Sequence, residues 1–322
     1  HDSLDSLRRG ILSTEEAQRK TMAMMISGTG DYAVPGFLMQ PIIVGGMDWI
    51  AHRPSLAQIT SQLCTHDQFF EDIYLHWCAV LRQPPMIHRK QWEFVYILEA
   101  LRRHGVLVEG ARGLGFGTGR EPLPSVFAAH AVDVLATDAP SATIEGAGWD
   151  ATRQHSTTLQ DLHQETIVDK ERFNRHVSFR AVDMNDLPDD LSGFDFCWSS
   201  CAFEHLGSIA HGLDFVANSL RSLRPGGIAV HTTEFNLSSN TSTVEADNLC
   251  LFRKRDIEVL VERLNAEGHW VAPVNCCPGS SPVDYYIDLP PYADSQILKI
   301  MINNYITTSI GIIIRKKISD DK

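Results

Sequence analysis

From Gly105 onward the chain alternates short β-type runs with helical stretches, and this alternation limits the fold more than any other feature. The runs fall at 113–116, 132–137, 177–182, 194–198, 228–233, 270–274 and 309–315. Helical patterns separate them at 122–130, 209–223 and 254–267. Strands joined by helices cannot pair as tight hairpins, so the pattern predicts parallel pairing with helices on both faces of one sheet. The class expected is α/β with a doubly wound, mostly parallel sheet.

Upstream, residues 1–104 read as mostly helical. Ser13-Thr14-Glu15-Glu16 is a capping box ahead of a helix to Met25. Further helices are expected over 56–63, 66–81 and 90–104, the second with Phe69, Phe70, Ile73, Trp77 and Leu81 on one stripe. Two units follow: a helical N-terminal region (1–104) serving as lid, substrate wall or oligomer contact, and a second domain (105–322). Within the latter, 139–176 is polar and is read as an insertion over the active site.

A net charge of −12 disfavours nucleic acid and anionic membranes as general partners, because phosphate binding needs a basic surface. Seven cysteines without a C-x-x-C pair argue against a disulfide framework and a structural zinc site, and point to a reducing cytoplasm. No apolar run approaches the length of a membrane span. The sequence opens at His1 rather than Met, so the native start is expected to lie elsewhere.

Gly115-Phe116-Gly117-Thr118-Gly119 joins the first strand to its helix. Glycines there permit positive φ and close approach of a ligand, and the helix behind offers free N–H groups. Asp138 ends the next strand, where an acid can accept both ribose hydroxyls of a nucleoside. A nicotinamide-dependent oxidoreductase would share these two features. Its fingerprint wants Gly or Ala where this chain has Arg120. Asp183 and Met184 follow the third strand, suited to the amino group and the face of adenine. Phe194-Asp195 to Glu204-His205-Leu206 and Arg224-Pro225-Gly226-Gly227 complete the series.

These five motifs, in this order, resemble the class I S-adenosylmethionine (SAM)-dependent methyltransferases over residues 105–322. The resemblance implies a seven-stranded sheet with the last strand antiparallel and SAM across the strand C-termini. It implies cofactor contacts from Gly115, Phe116, Gly117, Gly119, Asp138, Asp183, Met184, Ser199 and Glu204. Trp92 or Lys90, on the helix before the core, is expected to close over SAM. The family's pattern has an acid two residues before the first motif glycine. Here that residue is Gly113, leaving Glu109 or Glu121 to serve.

Methyl transfer from a sulfonium needs orientation and desolvation, and a hydroxyl acceptor also gains from a base. His231, Glu234 and His205 stand at strand ends and are the catalytic candidates. His205, His211, His231, Glu204 and Glu234 show no metal-ligand spacing, so no metal is expected. The reading is O-methylation of a small-molecule or glycan-type acceptor by a homo-oligomer. The alternatives are a non-catalytic SAM-binding scaffold and, more remotely, an NAD(P)-dependent oxidoreductase.

Overall fold

The computed structural model describes residues 34–42, 53–140, 158–290, 292 and 298–318. The expected helix to Met25 and residues 141–157 of the polar insertion lie outside the described residues.

The strands in chain order are β1 (Ser61–Leu63), β2 (Arg112–Phe116), β3 (Asp133–Asp138), β4 (Val177–Ala181), β5 (Phe194–Ser200) and β6 (Leu223–Asn236). They continue as β7 (Glu245–Ala246), β8 (Leu249–Cys250), β9 (Trp270–Val271), β10 (Val274–Asn275), β11 (Ile300–Ile302) and β12 (Tyr305–Arg315). The α-helices are α1 (Asp72–Val80), α2 (Arg89–Arg103), α3 (Leu123–Ala129), α4 (Lys170–His176), α5 (Ile209–Ser219) and α6 (Lys254–Ala266).

Ten strands share one sheet, ordered β10-β1-β12-β6-β5-β2-β3-β4, with β9 and β11 joining through β12. The strands β6, β5, β2, β3 and β4 are mutually parallel, and β12 is antiparallel to β6. This is the predicted α/β class, with more than the seven expected strands.

The difference originates in the N-terminal region. Residues 56–63 were expected to be helical, but Ser61–Leu63 is a strand, antiparallel to β12 and parallel to β10. It wedges into the position where one continuous run over 270–274 was expected. That run is broken: β9 pairs with β12, and β10 is displaced onto β1. Leu63 is fully buried and the whole of β1 is enclosed, so tertiary pairing overrides a short, ambiguous apolar pattern. Among the described residues before 104, β1 therefore belongs to the sheet, while α1 and α2 are helical as expected. The run over 66–81 is also divided, into a 3₁₀ turn at His66–Phe70 and α1.

Side-chain alternation sends β5 and β6 into two different cores. Phe196, Trp198, Ile228 and Val230 join a core built from α1, α2, α3 and α4. Cys197, Ala229 and Phe235 join the other, with α5 and α6. Two glycines of β2 make the first core possible. A β-carbon on Gly113 would lie 2.5 Å from the Phe196 ring, and one on Gly115 would lie 2.4 Å from Trp198. Those two rings fill the space and pack against Phe127 of α3, at 5.2 and 4.8 Å between centroids. No described helix is long and apolar enough to cross a membrane.

Candidate active site

Strands that run parallel end on the same side, and their C-terminal ends form a crevice. Three strand ends converge at the glycine loop. Gly117 and Gly119 adopt φ of +57° and +49°, left-handed values that favour glycine. The loop is pinned from β3: Thr118 N–H donates to the Thr137 carbonyl at 2.9 Å, and the Thr137 hydroxyl donates to the Gly115 carbonyl at 2.7 Å. A β-carbon on Gly117 would meet Ala202 at 2.7 Å and the Met184 sulfur at 3.3 Å. Asp138 ends β3, nearly buried, and its carbonyl accepts the Val182 N–H after β4 at 2.9 Å. Asp183 is exposed and accepts Asn185 N–H at 2.8 Å. A bare backbone at Gly117, a thioether beside it and a carboxylate at the next strand end fit a nucleoside.

A second cluster occupies the ends of β5, β6 and β12, and it includes residues the sequence did not single out. α2 opens with Arg89 and Lys90 and has no acid in its first turn. Cations there oppose the helix dipole, so an anionic partner must compensate. Arg89 pairs with Glu234, and Lys90 Nζ pairs with Glu93 at 2.9 Å. Glu93 is buried and also accepts from Ser200 Oγ at 3.0 Å, Ser309 Oγ at 2.6 Å and Cys201 Sγ at 3.1 Å. Lys90 and these hydroxyls outweigh the desolvation and hold its carboxyl below the ordinary range. Arg89 and Lys90 were legible as a wrongly charged helix start. Glu93, Cys201, Thr307 and Ser309 gave no signal that could be read without the fold.

Glu204 and Glu234 approach one another here. Among the described residues, Cys201, Glu204 and Glu234 offer polar atoms that all lie within 4.8 Å of each other. Thr233 Oγ1 donates to Glu204 at 3.0 Å, and Thr307 Oγ1 donates to Glu234 at 2.8 Å. Burial raises the Glu204 carboxyl, opposed by His205 and reinforced by the Glu234 charge. Cys201 carries φ of +46°, a strained value for a side chain with a β-carbon, held by its N–H on the Thr232 carbonyl at 3.1 Å.

The other candidates sit elsewhere. His231 is fully buried on the opposite face of β6, with Nδ1 2.8 Å from Ser199 Oγ and Nε2 3.2 Å from Ser219 Oγ. Ser219 gives its own proton to the Val216 carbonyl, so Nε2–H is the donor to Ser219 and Nδ1 accepts from Ser199. Phe203 and Phe215 flank the ring edge-to-face, and desolvation lowers its pKa to about 3. With both nitrogens engaged in a dry core, His231 and Ser199 form a structural pair facing away from the crevice. His205 Nδ1 lies 2.6 Å from the Asn248 carbonyl and must donate to it, which anchors a loop.

Two expected cofactor contacts also change. Phe116 is fully buried against Phe215, at 5.2 Å, so only its backbone belongs to the loop surface. Trp92 is fully buried, stacked on Tyr96 with its indole N–H on Gln68. On α2 it is Arg89, Lys90 and Glu93 that reach the crevice, and Trp92 is turned onto the core.

Residues 114–231 match the family model described as a methyltransferase domain. The match spans the glycine loop and the strands β2 to β5 with the first part of β6, so this segment of the chain carries a methyltransferase domain. Among curated proteins none is significantly similar. Solved structures similar to it include a DhpI–SAH complex (16% identity, 68% of this chain and 82% of that one, TM-score 0.40). Another is magnesium protoporphyrin IX methyltransferase from Synechocystis PCC 6803 with bound SAM (10% identity, 70% and 78%, TM-score 0.39). A third is an O-methyltransferase family protein from Burkholderia thailandensis (11% identity, 72% and 60%, TM-score 0.38). Global likeness at this level says nothing about the acceptor.

Proposed function

We propose that this chain is a SAM-dependent methyltransferase that transfers the methyl group to a hydroxyl of a small-molecule or glycan-type acceptor, with Glu204 as the base. The observation that carries the reading is the Glu204–Glu234–Cys201 cluster at the ends of β5 and β6, beside the glycine loop. SAM supplies an electrophilic methyl on a sulfonium, whose S–CH3 bond breaks as the O–CH3 bond forms. The protein's part is to hold the acceptor oxygen in line, exclude water and take its proton. A carboxylate whose pKa is raised by burial is a stronger base than an exposed one. Glu204 keeps one oxygen on Thr233 and has the other for the acceptor. Glu234 is neutralised by Arg89 and orients rather than abstracts. Arg89 and Lys90 make the start of α2 one wall of the acceptor site.

Contacts between copies belong to this reading as a homo-oligomer. The free state of all seven cysteines supports a reducing, cytoplasmic setting. The test is S-adenosylhomocysteine release by the purified chain across a panel of phenols, sugars, amines and carbanion acids. Turnover confined to hydroxyl acceptors, with its acidic limb above the ordinary carboxylate range, is expected. Turnover confined to nitrogen or carbon acceptors overturns it.

A further inference from the structure

A further buried acid lies outside the cluster at the ends of β5, β6 and β12. Glu121 follows the glycine loop by two residues and retains 8% of its exposure. Its Oε1 accepts the Trp198 indole N–H at 2.6 Å. Among the described residues, no group donates to its Oε2. The charged groups that face it are Lys90 and Glu93 from α2 and Asp138 from β3. Glu121 therefore lies between the strand end suited to the ribose and the cluster suited to the acceptor.

That interval is where the amino-acid end of a thioether nucleoside must lie if its ribose is on Asp138 and its sulfur faces Glu204. This end carries an ammonium, and an ammonium leaving water needs an acceptor carboxylate. The first strand cannot supply one. At Gly113 the β-carbon position is filled by the Phe196 ring at 2.5 Å, so an acid there has no room. The neighbouring ring on the same face of β5, Trp198, covers Gly115 and at the same time fixes the Glu121 carboxyl. The same packing that excludes an acid from β2 thus holds one at Glu121.

We propose that Glu121 receives the ammonium of the cofactor's amino-acid end, in place of an acid on the first strand. This rests on the reading of the glycine loop as the SAM site. A carboxyl with no ligand beside it gains little from ionising in this setting: burial pushes it up to about 8, against the pull of the Trp198 hydrogen bond and the Lys90 charge. An incoming ammonium reverses that balance, so binding and ionisation of Glu121 are coupled.

The experiment is a binding cycle by calorimetry at pH 7.5, with S-adenosylhomocysteine and its desamino analogue as ligands, on the wild-type chain and Glu121→Gln. Gln keeps an oxygen for the Trp198 N–H and removes the charge. Glu121→Met, of similar volume, serves if the Gln variant does not fold. A charge-assisted hydrogen bond corresponds to roughly 10- to 100-fold in affinity. The wild type should prefer S-adenosylhomocysteine by at least about that lower factor. The variant should lose it, while binding of the desamino analogue changes less than about twofold. Equal affinity of the wild type for both ligands, or equal loss of both in the variant, overturns the assignment of Glu121 alone. Failure of the wild type to bind either ligand overturns the glycine-loop reading and this inference with it.

Discussion

Two sets of polar groups are buried on the two faces of the same pair of strands, and they are opposites. On one face of β5 and β6, Ser199 and His231 meet in a pocket closed by Ser219, Phe203 and Phe215. Every nitrogen there has one partner, the imidazole is neutral, and no charge is present. At the crevice end of the sheet, Glu93, Glu204, Glu234, Arg89 and Lys90 form a charged cluster whose members share partners. Both regions hide polar atoms from water. The difference is that the first is complete, whereas in the second Thr233 engages one oxygen of the Glu204 carboxylate and the proposed function assigns the other to the acceptor. A group fit for proton transfer must have hydrogen-bonding capacity left over, and His231 has none.

The sharpest way to break this comparison is to exchange the expected roles. Glu204→Gln should lower kcat by about 100- to 10,000-fold, the range of a lost general base, with little change in the Kd of S-adenosylhomocysteine. His231→Asn should leave kcat within about threefold. If steady-state rates show the reverse, the base lies in the closed pocket and the crevice cluster is structural.

A second comparison, with the family pattern itself, predicts a large effect on stability. Gly113→Asp restores the acid usual in this family, yet it should destabilise by about 3 kcal/mol or more in denaturant unfolding. Its β-carbon lands on the Phe196 ring and its carboxylate is buried without a partner. A variant with wild-type stability would show that β2 has room for that acid after all.

Smaller effects concern the closed pocket. His231→Asn should cost about 1–3 kcal/mol of unfolding free energy, because Ser199 and Ser219 each lose a partner in a dry core. The histidine also leaves a pH signature. Its pKa falls from 6.5 unfolded to about 3 folded, so below 6.5 the unfolded chain binds a proton that the native one does not. Stability conferred by this group is fully present above 6.5 and is lost as pH falls from there toward 3. Its slope is about 1.4 kcal/mol per pH unit. The wild type minus His231→Asn difference in unfolding free energy should show that slope, and a flat difference would mean the imidazole is accessible to protons.

The parts of the proposed nucleoside half are local, so their placement at strand ends was legible in the sequence. Gly117 and Gly119 are set by their backbone conformation and Asp138 by its position at a strand end, and both follow from neighbouring residues. Asp183 and Met184 were placed by the same rule. Of the proposed acceptor half, only Glu204 and Glu234 were legible, because they stand at strand ends. His231 misled for an instructive reason. Period two gave its face relative to Glu234 correctly, but not which face was open.

By itself the sequence determined the class of fold, the parallel core from β4 to β6 and the glycine turn, since periodicity and turn chemistry are local. Tertiary structure alone decided the rest. It placed Ser61–Leu63 inside the sheet, turned Trp92 into the core while bringing Arg89, Lys90 and Glu93 to the crevice, and sealed His231. It also fixed the fate of the missing acid at Gly113, because whether a strand position can carry a side chain depends on the ring that packs across from it. Burial and hydrogen bonding join residues as far apart in the chain as Glu93 and Ser309, 216 positions, and no local pattern records them.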